Sequence, residues 1–451
     1  MTLPLIAASN TAALESRLAR AHANRDQVWR RAAQIVRDVR QGGDLELDRW
    51  TRKLEGVRLL FPGTANRAES SVKKTAEPAR ALLYNRAAMA AAWKAIPPEL
   101  RRALEHAARN LRRMAQWQMP RAWQKTIEPG VRVGQIVRPL EAVGCYIPGG
   151  RHPLPSTVLM TAIPARVAGV KRVVAACPQP APAVLAAGWL AGVDAVYAIG
   201  GAQAIAALAY GTAAIPKVDK IVGPGNQYVT AAKLQVARDC AIDFGAGPTE
   251  VLLVAEAGSN PEWLAADLLA QAEHDPRAAA WLLTSSPTLA RAVIAAVERQ
   301  LAELPQPNRQ AAQQALADYG AVVVTKSAVE ALRLANRIAP EHITLPAAAR
   351  EQLRNAGSVF IGQYAPQAVG DYMSGANHVL PTVGGARTRA GLSVLDFVKI
   401  ITVQQLTSSG LRRLADDIAC LARAEGLEAH ARSVEIRQKG VPPRQRKGGR
   451  R

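Results

Sequence analysis

The sequence is poor in cysteine, in aromatic residues and in long apolar runs. Its four cysteines, Cys145, Cys177, Cys240 and Cys420, are spread over 451 residues with no C-x-x-C pair. That excludes a disulfide scaffold, and a reducing cytoplasm is the simplest compartment for them. Aromatics make up only 4% of the chain, and no nucleic-acid-binding module or base-stacking set accompanies its positive charge. No stretch reads as a membrane span. The alanine-rich segment 183–215 is the most hydrophobic, but Asp194, Gly200-Gly201 and Gln203 interrupt it and its period changes midway. A buried strand–loop–helix is the expected outcome. Leu3–Ala8 is too short for the apolar core of a signal peptide and has no basic residue before it.

What is present is ordinary globular composition, 49% apolar and 21% charged. At roughly 100–200 residues per domain, the length predicts two to four packed units. The formal net charge of +21 is unevenly distributed. Residues 1–140 carry 26 Lys/Arg and 12 Asp/Glu, residues 431–451 carry 8 and 1, and the long middle carries 23 of each. The excess therefore reads as solvated basic faces and a flexible tail from Gly440, able to tune solubility or weak polyanion contacts. Nucleic acid is not an expected partner.

Residues 1–140 are expected to be mainly helical, part of them packing with a second α/β domain, with an irregular passage near Trp117–Val133. From Ala142 short β-rich runs alternate with helical patterns. Strands are predicted at 142–147, 172–176, 195–199 and 220–222, with helices at 157–167, 183–190, 202–210 and 228–238. A second series follows, with strands at 250–255, 280–284, 321–325 and 358–361 and helices at 261–274, 288–304 and 328–338. This alternation predicts parallel sheets with helices on both faces. The expected fold is α/β, with two tandem Rossmann-like domains at 141–244 and 245–392. A helical segment, 393–439, follows, with helix expected beyond Thr402, and then a basic tail, 440–451.

Open parallel sheets bind ligands where loops leave the carboxyl ends of strands. Three Gly-rich loops are expected there: Pro148-Gly149-Gly150, Gly200-Gly201 before Gln203, and Gly223-Pro224-Gly225-Asn226. None is a G-x-G-x-x-G or Walker loop. Each opens a helix and can offer main-chain N–H groups to a phosphate or dinucleotide. Gln271 and His274 share a helix face, Asp371 sits in a Gly-Asp-Tyr turn and His430 in a late helix; an amide, two imidazoles and a carboxylate make a plausible zinc set. Adjacent Glu341 and His342, at a helix-to-strand junction, could perform two separate proton transfers in one pocket. From the residues alone the expectation is a nucleotide-using α/β enzyme with a candidate metal-ligand set.

The ordered motifs go further. Tyr146-Ile-Pro-Gly-Gly, Gly200-Gly-Ala-Gln203, Gly223-Pro-Gly-Asn226, Gly247-Pro-Thr249-Glu250 and Gln271-Ala-Glu-His274 come first. Ala339-Pro-Glu341-His342, Gly370-Asp371-Tyr372, Asn377-His378-Val-Leu-Pro381 and Glu425-Gly-Leu-Glu-Ala-His430 complete the series. In this order they resemble the histidinol dehydrogenase family, over roughly residues 139–433.

The resemblance implies a zinc- and NAD-dependent, four-electron oxidation of L-histidinol through L-histidinal to L-histidine. One Zn2+ per subunit would be held by Gln271, His274, Asp371 and His430, and would orient the substrate. His342 would take the alcohol proton, and Glu341 would activate water for the aldehyde step. Tyr146, Gln203 and Asn226 match NAD-contacting positions. Thr249, Gln271, His274, His342, Asp371, Glu425 and His430 match substrate-binding ones. A homodimer is implied, in which Glu425 and His430 complete the partner's site, and the implied location is cytoplasmic. No cysteine stands at a nucleophile position; Cys145 beside Tyr146 is the nearest. Departures from the family pattern are Thr249 where Ser is usual, Ala376 in place of a Pro before Asn377, and Thr388-Arg389 in place of Phe-Ser. The last pair puts an extra charge near the expected dimer crossing.

Overall fold

The computed structural model describes residues 3–19, 25–62, 78–149 and 152–439. Gly150 of the first Gly-rich loop and the tail 440–451 lie outside them. The chain forms two compact units: Met1–Gln118 with Leu140–Phe397, and Met119–Pro139 with Val398–Arg451.

The first unit contains two six-stranded sheets. One has the order Ala241–Ile242, Lys220–Val222, Ala142–Tyr146, Arg172–Ala176, Ala195–Tyr197, Leu83–Tyr84. It is parallel except for its last pairing. The other, Leu5–Ala7, Ala321–Val324, Ala279–Thr284, Glu250–Ala255, His342–Leu345, Ser358–Ile361, is parallel throughout. The central strands are buried on both faces, which selects continuous apolar runs instead of an alternating pattern.

Local chemistry sets the helix limits. Pro155, Pro182 and Pro261 each open a helix at a position where a missing N–H costs nothing. Gly169 closes the first of these in the left-handed region, φ 93°, where a Cβ would be strained. The helix Arg25–Glu55 kinks at Gly43 and buries Ile35, Leu47 and Trp50 in one core with Ile205 and Leu208 of helix Gly201–Tyr210.

Three local expectations change. The helix Asn308–Asp318 was not legible between the patterns flanking it. The passage after Gln118 is two paired strands, Trp123–Glu128 and Val131–Pro139, not irregular chain. The segment expected to turn helical after Thr402 stays extended to Leu406, because Val398–Leu406 pairs antiparallel with residues 131–139 along its whole length. Its helix begins only at Ser408, where the Thr407 side chain accepts from Gly410 N. These three strands and the helices Ser408–Ala424 and Glu428–Lys439 make up the second unit.

Candidate active site

The strands Glu250–Ala255 and His342–Leu345 are parallel neighbours with Val251 opposite His342. That register sets Thr249-Glu250 beside Glu341-His342 at the amino ends of two strands, although some 90 residues separate them in sequence. The expectation that ligands meet the carboxyl ends of strands does not find this site.

The contacts are close. The Thr249 hydroxyl donates to Glu341 Oε2 at 2.6 Å and accepts from Gln271 Nε2 at 2.6 Å. The Glu250 main-chain N–H donates to the same Glu341 oxygen at 2.8 Å. His342 Nδ1 stands 3.2 Å from the Glu250 carbonyl oxygen. A carbonyl only accepts, so this nitrogen carries hydrogen and the neutral ring has its lone pair at Nε2. Nε2 faces Asp371 Oδ1 at 3.7 Å, and Nδ1 is 3.7 Å from Glu341 Oε2.

Burial controls the charges. Glu341 and His342 are only 6% and 4% exposed. Desolvation pushes the Glu341 carboxyl above its ordinary range, against the opposing pull of His342 and of its hydrogen-bond donors. Burial alone would lower the His342 pKa, but the Glu341 charge and the Asp371 carboxylate together raise it to about 9. Asp371 is desolvated too, yet its contact with His342 and the charges of His378 and His274 hold it below the usual carboxylate range. It is held as a carboxylate, the form able to bind a metal.

Gln271 is buried in the last turn of helix Pro261–Ala272, and His274 is exposed just beyond it. Gln271 uses its amide nitrogen on Thr249, which leaves its carbonyl oxygen to bind a metal. The His274 imidazole and the Asp371 carboxylate add the other donor types, nitrogen and charged oxygen, that zinc accepts. Among the described residues no three His, Cys, Asp or Glu side chains form a metal group, so the set depends on that amide. Glu425 and His430 belong to the second unit, exposed at the end of one helix and the start of the next.

Residues the motifs contained without a role are now placed. His378, with its pKa lowered by burial, holds the Asp371 carbonyl through Nδ1 at 2.9 Å and meets Thr157 Oγ1 at 3.3 Å. Asn377 Nδ2 donates to the Met160 carbonyl at 2.7 Å. Together they pin the Asp371 turn to the helix Pro155–Ala168. The Arg389 side chain, an apparent extra charge, is absorbed within the first unit: it stacks on Phe244 at 4.8 Å and pairs with Asp396 at 3.6 Å.

At the carboxyl ends of the other sheet lies a cavity of about 350 Å3. Tyr146, Gln203 and Asn226 all line it, with Gly200, Gly201 and Glu55. The Tyr146 hydroxyl accepts from Gly201 N at 3.0 Å. Gln203 is 1% exposed and donates to Glu55 at 3.4 Å, while its Oε1 has no partner, a buried acceptor available to a ligand. The Asn226 side-chain oxygen, Oδ1, caps the next helix by accepting from Tyr228 N and Val229 N. At Gly223, φ 114°, a Cβ would collide with the Tyr146 carbonyl, so only glycine lets the loop pass. A buried ion pair, Lys233–Asp243, braces that loop: Lys233 donates to the Gly223 carbonyl at 2.9 Å and Asp243 accepts from Gly223 N at 2.7 Å. The charges of this pair were visible in the sequence, but their role was not. Cys145, fully buried beside Tyr146, has its thiol pushed up to about 12, so it is no nucleophile.

Comparison with known proteins identifies the family. The family model described as histidinol dehydrogenase matches residues 18–438. Histidinol dehydrogenase of Methanothermobacter thermautotrophicus is 45% identical over 428 residues, 93% of this chain and 95% of that protein. The Thermus thermophilus protein is 46% identical over 409 residues, 90% and 93% of the two chains. The crystal structure of histidinol dehydrogenase from Elizabethkingia anophelis aligns with a TM-score of 0.82 at 36% identity, covering 90% of this chain and 91% of that one. This chain belongs to the histidinol dehydrogenase family of oxidoreductases.

Proposed function

We propose that this chain oxidises L-histidinol through L-histidinal to L-histidine, the closing step of histidine biosynthesis, reducing two NAD+ and using one zinc ion per subunit. The observation that carries the reading is the linked set Gln271–Thr249–Glu341, with His342 and Asp371, in a chain so similar to histidinol dehydrogenases. Zinc would be held by Gln271, His274 and Asp371, with His430 of the partner subunit. Bound there it would orient the substrate, and Tyr146, Gln203 and Asn226 would hold the NAD+ that supplies the hydride acceptor.

His342 Nε2 takes the alcohol proton as hydride leaves the carbinol carbon. Glu341 then removes a proton from water as its oxygen adds to the aldehyde carbon, and a second hydride leaves the hydrate to give the acid. The buried Glu341, with its raised pKa, is a stronger base than a free carboxylate. Thr249, Asp371 and Glu425 of the partner subunit complete the substrate pocket. The active form in this reading is a homodimer. The free buried thiols of Cys145, Cys177 and Cys240 suit a reducing cytoplasm, and no described helix is long and apolar enough to cross a membrane.

The test is an assay of purified, zinc-loaded protein with L-histidinol and NAD+, with and without chelator. Two NADH per histidinol, lost on chelation, is expected; no NADH from loaded protein sinks the proposal. A panel of other primary alcohols separates histidinol from a relative's substrate.

A further inference from the structure

We propose that Glu250 is the positioning residue for the Glu341–His342 pair, acting through its side chain on Glu341 and through its main chain on both. This rests on the reading of that pair as the proton-transfer groups.

The two glutamates clasp each other. Glu250 N–H donates to the Glu341 carboxylate at 2.8 Å, and Glu341 N–H donates to Glu250 Oε1 at 3.3 Å. Neither carboxyl can shift along the strands without breaking a bond that the other chain segment provides. The Glu250 carbonyl sets the His342 tautomer at 3.2 Å, which leaves Nε2 as the basic atom. The same Glu250 Oε1 accepts from Val383 N at 2.9 Å. Val383 has φ 53°, the left-handed region that a β-branched residue avoids. Its loop is tied a second time where Gly247 N donates to Thr382 Oγ1 at 2.5 Å. One carboxyl oxygen therefore holds both the Glu341 backbone and a strained loop.

The chemistry of that carboxyl defines the conservative replacement. Desolvation and the nearby Glu341 charge raise its pKa to about 8, so near neutrality it is a protonated acid. Glutamine copies that form: its carbonyl oxygen can accept from Glu341 N and Val383 N, and its amide takes the place of the acid hydroxyl. Aspartate keeps a carboxyl but withdraws it from both donors by one methylene. Alanine removes it.

The experiment uses the full-length zinc-loaded enzyme and follows NADH separately from supplied L-histidinol and L-histidinal. Glu250→Ala and Glu250→Asp should slow aldehyde oxidation at least tenfold in kcat, with KM changed less than threefold, because Glu341 is the group released. Glu250→Gln should recover most of the rate. Melting curves by circular dichroism show whether each variant is folded, and Glu250→Asp keeps the test open if Glu250→Ala does not fold. Full-rate aldehyde oxidation by folded Glu250→Asp, or a Gln variant no better than Asp, overturns the proposal. Glu341→Gln is the control. If it leaves aldehyde oxidation intact, the reading of the pair fails; if it stops that step and Glu250→Asp does not, only the positioning role fails.

Discussion

The hydroxyl of Thr249 donates to Glu341 Oε2 at 2.6 Å while accepting from Gln271 at the same distance, so one oxygen connects a metal-ligand candidate to a proposed base. The methyl that distinguishes threonine from the family's usual serine does not prevent this. Thr249→Val keeps the shape and removes the bridge. A hydrogen bond to a charged group is worth about 1.5–3 kcal/mol, so aldehyde oxidation should fall roughly ten- to a hundredfold. Thr249→Ser should stay near the parent rate. Stopped-flow NADH formation from histidinal measures both.

The His342 pKa of about 9, against an ordinary 6.5, has two consequences of opposite sign. A raised folded value means that the ion pair's stabilisation is complete below about pH 6.5 and is lost as pH rises through 9. Metal-free protein should therefore melt at progressively lower temperature across that window. Activity runs the other way, since the base must be neutral: kcat rises with pH. With zinc bound as proposed, the metal would draw off the Asp371 charge, so the activity limb should lie below 9. A kcat that falls from pH 6 to 8 would contradict the assignment of His342 as base.

Asp371 is held ionised and is oriented by His378. Asp371→Asn removes the only carboxylate of the proposed zinc set. Bound zinc, measured by atomic absorption after dialysis, should drop well below one per subunit, and activity should return only in part with excess zinc. Full retention of zinc would remove Asp371 from the ligand set.

Lys233 and Asp243 are 2% and 1% exposed and brace the Gly223 loop. Deleting one partner strands a buried charge, at a cost of about 3–5 kcal/mol. Asp243→Ala should lower the melting temperature markedly and raise KM for NAD+, while leaving zinc content unchanged. Denaturant titration and NAD+ saturation curves check the two effects.

The proposed sharing of sites between subunits makes a prediction that single variants cannot. His342→Ala and His430→Ala subunits should each be inactive alone. Mixed dimers should regain activity, because one of their two sites draws its His342 and His430 from unmutated positions. Co-refolding the two variants and measuring NADH formation tests this; no recovery in verified mixed dimers argues for sites completed within one chain.

The sequence by itself determined a good deal. The runs at Ala142–Tyr146, Glu250–Ala255 and Arg172–Ala176 were legible because strands buried on both faces must be continuously apolar. Helix starts fell close to those expected, and Pro or Asn stands at several of them. The motif series pointed to the family, and Glu341, His342, Thr249, Gln271 and Asp371, which it singled out, lie together in the fold. What the sequence could not give was register. Periodicity says that a strand exists but not which residue faces it, and the pairing of Val251 with His342 is what sets Glu250 against Glu341. The same holds for Val398–Leu406, which is a strand because residues 131–139 run alongside it. Proton affinities depended on tertiary structure for the same reason. A glutamate becomes a base, a locked acid or an ordinary surface charge according to the desolvation and neighbours that only the folded chain supplies.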